Sequence, residues 1–174
     1  MRSLLTLGTL VLSVLIASCA WAAPRVVLDP SMRGNRALAF AAGEIADAAG
    51  FSVVYDAGAE SGDIVIGRTS KAMLAMFTSA RLKAPASLRA EGFAIRRVGG
   101  VVAVIGADDR GDVYGALWLA ERLRLDPRNI NHPDCVREPA LRYREFTDGH
   151  EYLRPPSRGY EGWLHECLKL GINT

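Results

Sequence analysis

Hydrophobic and polar positions alternate along this chain in two periods, and the changes of period predict its elements. Arg25 to Asp29 (RVVLD) is a short apolar strand. From Asn35 to Ala49, Leu38, Ala41, Ala42, Ile45 and Ala48 recur at helical spacing, and Gly50 follows as a natural stop. Phe51 to Tyr55 reads as a second strand and Asp63 to Gly67 (DIVIG) as a third. Thr69 or Ser70 is placed to cap a helix through Phe77, and a polar loop containing Pro85 leads on to Glu91. Gly92 to Val98 and Val101 to Ile105 are β-rich runs joined by Gly99-Gly100, a pair that supplies the positive φ of a tight hairpin.

Beyond Gly106, Asp108 or Asp109 caps a long helix whose core stripe is Val113, Ala116, Leu117, Ala120 and Leu123. Tyr114, Trp118 and Leu125 widen that stripe, Glu121, Arg122 and Arg124 cover the other side, and Pro127 ends the helix. Strands alternating with helices, plus one antiparallel hairpin, predict an α/β (α+β) domain over residues 23–125: a mixed β-sheet with helices packed on it. Residues 126–138 are polar, contain Pro127 and Pro133, and read as a linker. Residues 139–174 start a second unit: a strand over Ala140 to Phe146 (ALRYREF), a helix within Arg158 to Lys169, and a turn at Leu170 to Thr174 into another strand. The helix directs Tyr160, Trp163, Leu164, Cys167 and Leu168 inward. A single βα unit leaves an open strand edge, so the pattern predicts a piece of something larger. The alternative is an extension that packs on the first domain.

The N-terminus changes this picture by removing residues from it. Arg2 precedes an apolar run from Leu4 to Ile16, shorter than the ~20 residues of a spanning helix, and small residues follow. Residues 1–22 therefore read as a signal peptide. Ala20-Trp21-Ala22 fits ordinary cleavage before Ala23, which makes the protein exported, periplasmic or extracellular. Ile16-Ala17-Ser18-Cys19 instead resembles a lipobox, in which Cys19 is lipidated and the protein becomes a membrane-anchored lipoprotein. Only that second route calls for a membrane.

Charge and cysteines narrow the classes further. The chain has 21 Lys+Arg against 19 Asp+Glu, with no basic stripe interleaved with aromatics, which argues against a nucleic-acid partner. Beyond Cys19 there remain Cys135 and Cys167, whose pairing the sequence leaves open. Three scattered histidines without CxxC or HExxH spacing give no expectation of a metal, and no cofactor is implied. GxGxxG and GxSxG, the marks of a phosphate loop and a nucleophile elbow, do not occur.

The order strand, Gly-Gly, strand, helix has a recognisable sequence. Glu91-Gly92-Phe93-Ala94-Ile95, then Val101 to Gly111 (VVAVIGADDRG), Tyr114-Gly115-Ala116 and Leu119 to Leu123, together with Asp63 to Gly67, resemble an accessory domain of exo-acting glycoside hydrolases. The enzymes concerned are of the β-N-acetylhexosaminidase and α-glucuronidase kinds. The resemblance spans residues 25 to 125 and implies a non-catalytic α/β domain beside a (β/α)8 barrel. Pro139, Arg144, Asp148 and Leu170 to Thr174 are similar to the start of the hexosaminidase barrel, which makes 139–174 the opening of a truncated catalytic barrel. Arg158-Gly159-Tyr160 is similar to a stretch near the start of the α-glucuronidase barrel. Glu145 stands where hexosaminidases usually have glycine, and the Arg144 to Asp148 spacing is one residue short, so the subfamily stays open.

Candidate site residues follow from that likeness. Arg144 matches the family's sugar-binding arginine, whose planar fork suits vicinal hydroxyls or a carboxylate, although an arginine paired inside a barrel fits as well. Asp148, His150 and Glu151 lie just after a barrel strand, where such enzymes build their sites, and read either as sugar ligands or as a solvated loop. Asp108 and Asp109 read as a paired-carboxylate site or, on local grounds, as a helix cap. Tyr114 and Trp118, four apart on one helix, read as packing or as sugar stacking. Glycoside hydrolysis usually needs two flanking carboxyl groups; the related hexosaminidases use the substrate's acetamido group as nucleophile. In either mechanism the acid lies on later strands, so this chain alone is expected to be inactive and to meet carbohydrate through the remainder of the barrel. The expected function is the N-terminal domain of an exported exo-glycosidase acting on terminal sugars or uronic acids. The alternatives are a stand-alone carbohydrate-binding or envelope module and an unrelated α/β enzyme.

Overall fold

Five of the strands predicted from hydrophobic pattern assemble, with a sixth, into one sheet in the order β2-β1-β3-β5-β4-β6. The structure is a computed structural model and describes residues 23–67, 73–75, 78, 88–131, 134–140 and 167–169. The strands are β1 (Arg25–Leu28), β2 (Ser52–Tyr55), β3 (Ile64–Ile66), β4 (Phe93–Val98), β5 (Val101–Gly106) and β6 (Cys135–Arg137). β1 pairs in parallel with β2 and β3, and β3 with β5; β4 runs antiparallel to both β5 and β6. This is an α/β fold with a mixed sheet, as the pattern implies.

Period-two alternation gives the sheet two buried faces. Val26, Leu28, Ile64, Ile66, Ile95, Val102 and Val104 turn to one face, where they meet α1 (Arg36–Ala49) and α2 (Asp109–Leu125). Val27, Val65, Ala103 and Ile105 turn to the other, where Met73 packs on them. The central strands β3 and β5 are thus apolar throughout, the composition expected of strands covered on both sides.

Caps fix the helices where the sequence places them. The Asn35 side chain accepts from Leu38 N, and Gly50 closes α1 in the left-handed region at φ 71°. The Asp108 side chain accepts from Gly111 N at the start of α2. The hairpin turns on Gly99 (φ 57°) and Gly100 (φ 87°), consecutive positive φ values that match the right-handed twist of the flanking strands. A Cβ on Gly100 would also lie 2.5 Å from Ser61 Oγ, so the turn is pressed against the loop before β3.

Three expectations need correction or limitation. Residues 126–138, read as a linker, carry a 3-10 turn at Pro127–Asn131 and the strand β6, so the sheet extends past Leu125. Arg97 fastens this stretch to β4, its N–H donating to Asp134 and its guanidinium to the Ile130 carbonyl. Leu125, expected to widen the core stripe of α2, is 72% exposed at the last position of that helix. The barrel-start reading of 139–174 falls outside the described residues apart from 139–140 and 167–169.

Candidate functional site

In open α/β sheets, ligands commonly sit beyond the carboxyl ends of the parallel strands. Here those ends present Asp29 after β1, Gly67 after β3 and Gly106 closing β5, beside the start of α2. Met32 fills the space left by the missing side chain of Gly67: a Cβ there would lie 2.7 Å from Met32 Cε. The carboxylates are occupied with the backbone. Asp29 Oδ1 accepts from Ser31 N and Oγ, and Asp112 Oδ1 accepts from Gly106 N at 2.6 Å.

Asp63, at the opposite end of the sheet, accepts from the backbone N–H of Arg25 and of Glu60 and from the Arg25 guanidinium at 2.7 Å. Burial would raise its carboxyl; the Arg25 side chain and the two backbone donors outweigh burial and hold it below the usual range. Asp29, Asp63 and Asp112 are the buried acids among the described residues, and each is committed to the local backbone.

Asp108 resolves in favour of capping. Its Oδ1 accepts from Gly111 N at 2.8 Å and its Oδ2 from Glu91 N at 2.9 Å, so one carboxylate joins the start of α2 to the loop before β4. Glu91 sits at φ 63°, a conformation that non-glycine residues seldom adopt, and Arg110 pairs with its carboxylate at 2.9 Å. Asp109 is exposed in the first turn of α2.

A concave surface lies instead along α2, bordered also by Phe93 of β4 and Glu44 of α1. Between α1 and α2 a groove of about 430 Å³ is lined by Phe93, Tyr114, Leu117, Trp118 and Leu168, with Glu44, Glu121, Arg124 and Lys169 around it. Trp118 lies 6.1 Å from Phe93 at a tilt of 48°, with the guanidinium groups of Arg122 and Arg137 over its ring at 5.1 and 5.7 Å. Those cations engage the indole that sugar stacking would require, each cation–π contact contributing about 0.5–1 kcal/mol at an exposed position.

Glu44 anchors one end of the groove. It pairs with Arg124 at 2.7 Å and with Lys169 at 3.3 Å, and Lys169 also lies over the Phe40 ring. Burial alone would raise the Glu44 carboxyl, but its two cationic partners more than offset this and lower it. Glu44→Gln is expected to lower stability by about 0.5–1 kcal/mol at low ionic strength, with the difference shrinking as salt is added. Urea midpoints at two salt concentrations check this. The sequence held a clue: Glu44 lies three residues after Ala41 and four before Ala48, a charged residue beside an apolar stripe.

The sugar-ligand candidates Arg144, Asp148, His150 and Glu151 lie outside the described residues, as do Cys19 and the cleavage site. Cys135 is half-buried, and burial pushes its thiol up. Leu168, expected to face inward, packs against the core.

No family model matches the chain, and no curated protein does. Among solved structures it is similar to BtGH115A, described as a novel family GH115 4-O-methyl-α-glucuronidase with specificity for decorated arabinogalactans, with a TM-score of 0.56 and 16% identity. The match covers 86% of this chain but 24% of that enzyme. At that identity the likeness is one of fold, and what it establishes is an α/β fold shared with part of a glycoside hydrolase.

Proposed function

We propose that this chain is the non-catalytic N-terminal domain of an exported exo-glycosidase, with its α1–α2 face turned toward the catalytic body. The observation that carries the reading is the fold shared with part of a GH115 α-glucuronidase. Two features agree with it. The buried carboxylates are spent on caps and strand ends, which leaves them poorly placed as an acid pair for glycoside hydrolysis. The groove joins apolar side chains to a charged rim, the composition of an interface between domains. On this reading Arg144 and the acids after it belong to the sugar-binding side of the barrel, export follows residues 1–22, and a lipid at Cys19 is the alternative anchor.

The reading frame beyond Thr174 provides the test. Translation and expression of the continued frame should give a product that releases terminal sugars or uronic acids from glycans. The 174-residue chain should neither turn over aryl glycosides nor bind a glycan panel. Turnover by this chain alone would sink the proposal. Glycan binding that disappears in Trp118→Ala would replace it with a stand-alone binding module, a reading favoured only by the aromatic lining of the groove.

A further inference from the structure

The charged residues of α2 divide by flank. Arg110 pairs with Glu91, Arg124 pairs with Glu44, and Asp112 is buried against Gly106 N. Glu121 and Arg122 are exposed neighbours on the helix without such partners: among the described residues no base pairs with Glu121 and no acid with Arg122. The Arg122 guanidinium lies over Trp118 at 5.1 Å, and Arg137 joins it from β6 at 5.7 Å, again without an acid.

The apolar residues of this flank are arranged around that pair. Trp118 is half-buried and Leu125 is largely exposed. Trp118 lies about one helical turn before the midpoint of Glu121 and Arg122, and Leu125 about one turn after it, so the two share a helix face. A single exposed leucine carries no meaning by itself. An apolar pair symmetric about an unpaired acid and base does, because the strip is complementary to itself when turned end over end. A two-fold axis between Glu121 and Arg122 sets Trp118 against Leu125 of a second copy and Glu121 against its Arg122, each contact being made twice. We infer that this flank of α2 is the interface of a homodimer, in which the α2 helices of two copies pack antiparallel across that axis. A second copy supplies an acid for the arginine and an arginine for the acid, which a surface of single sign would not. Neither Arg122 nor Leu125 lines the groove, so the groove stays open toward α1. The inference goes beyond the proposed function, since it stands whether or not a longer product hydrolyses sugars.

Sedimentation equilibrium of the full chain tests it. The parent should dimerise reversibly, and more weakly as salt is added. Leu125→Glu should leave only monomer. Glu121→Arg and Arg122→Glu should each weaken the dimer at least about tenfold, since each removes both cross-interface pairs and sets like charges together. Combined in one chain, the two exchanges should restore most of the parental affinity, a recovery that depends on pairing of these residues between copies. All three positions are exposed, so far-ultraviolet circular dichroism of the variants should match the parent. A chain that stays monomeric into the millimolar range, association indifferent to Leu125→Glu, or a double exchange no tighter than either single one would each overturn the inference. Indifference to Leu125→Glu would assign the association to another surface, such as the apolar run from Leu4 to Ile16.

Discussion

Gly106→Ala is expected to cost more than about 3 kcal/mol, beyond the usual penalty for an overfilled site, because the added methyl meets backbone on every side. Its Cβ would collide with Asp112 N and lie 2.5 Å from both Asp108 O and Gly111 C. None of these is the far end of a side chain that can swing away. The close approach lets β5 run directly into α2, and it brings Gly106 N within 2.6 Å of the Asp112 carboxylate. Gly43→Ala provides the opposite case, since nothing lies within 4 Å of its added Cβ on α1. That change should stabilise by about 0.5–1 kcal/mol through the helix preference of alanine over glycine. Urea midpoints of the two variants should move in opposite directions; a Gly106→Ala protein as stable as its parent would show that β5 and α2 can separate.

The next largest effect should come from Asp63→Asn, at about 2 kcal/mol, the scale of hydrogen bonds to a charged group. Asp63 is 2% exposed and holds the start of β1 through Arg25 N and the Arg25 guanidinium. Arg25 retains Asp56 and Glu60 at 3.5 and 3.8 Å, which limits the loss. Because the folded state depresses the Asp63 carboxyl, its contribution is complete above the unfolded value of about 3.9 and fades as pH falls through the lower folded value. The parent should therefore lose stability as the pH falls below about 4 more steeply than Asp63→Asn. Parallel pH profiles would show that Arg25 draws its support from the two outer acids instead.

Elements whose causes are local could be read from the sequence. Asn35 and Gly50 bound α1, and Gly99-Gly100 turns the hairpin, each through the conformation of one or two residues. β6 could not be read that way. Three residues are too few to show a period, and their partners in β4 lie about forty positions earlier. The filling of the strand-end crevice by Met32 was equally hidden, because it depends on Gly67, thirty-five positions away. The groove combines both kinds of information: Trp118 and Leu117 announce an apolar face, but the meeting of Glu44 with Arg124 joins residues 80 apart. The sugar-ligand candidates rest on resemblance and lie outside the described residues.

The short strand β6 has a practical consequence for anyone dividing this protein. It covers Phe93, Ala94 and Ile95 of β4, three positions with buried side chains. A protein ended after Leu125, where the hydrophobic pattern first suggests a boundary, would leave β4 as a bare six-residue edge. Its unpaired N–H and C=O groups would then be open to another copy, and an apparently sensible truncation would aggregate. Retaining the chain through Glu138 keeps that edge covered and also keeps the contact between Glu138 and Arg89 N.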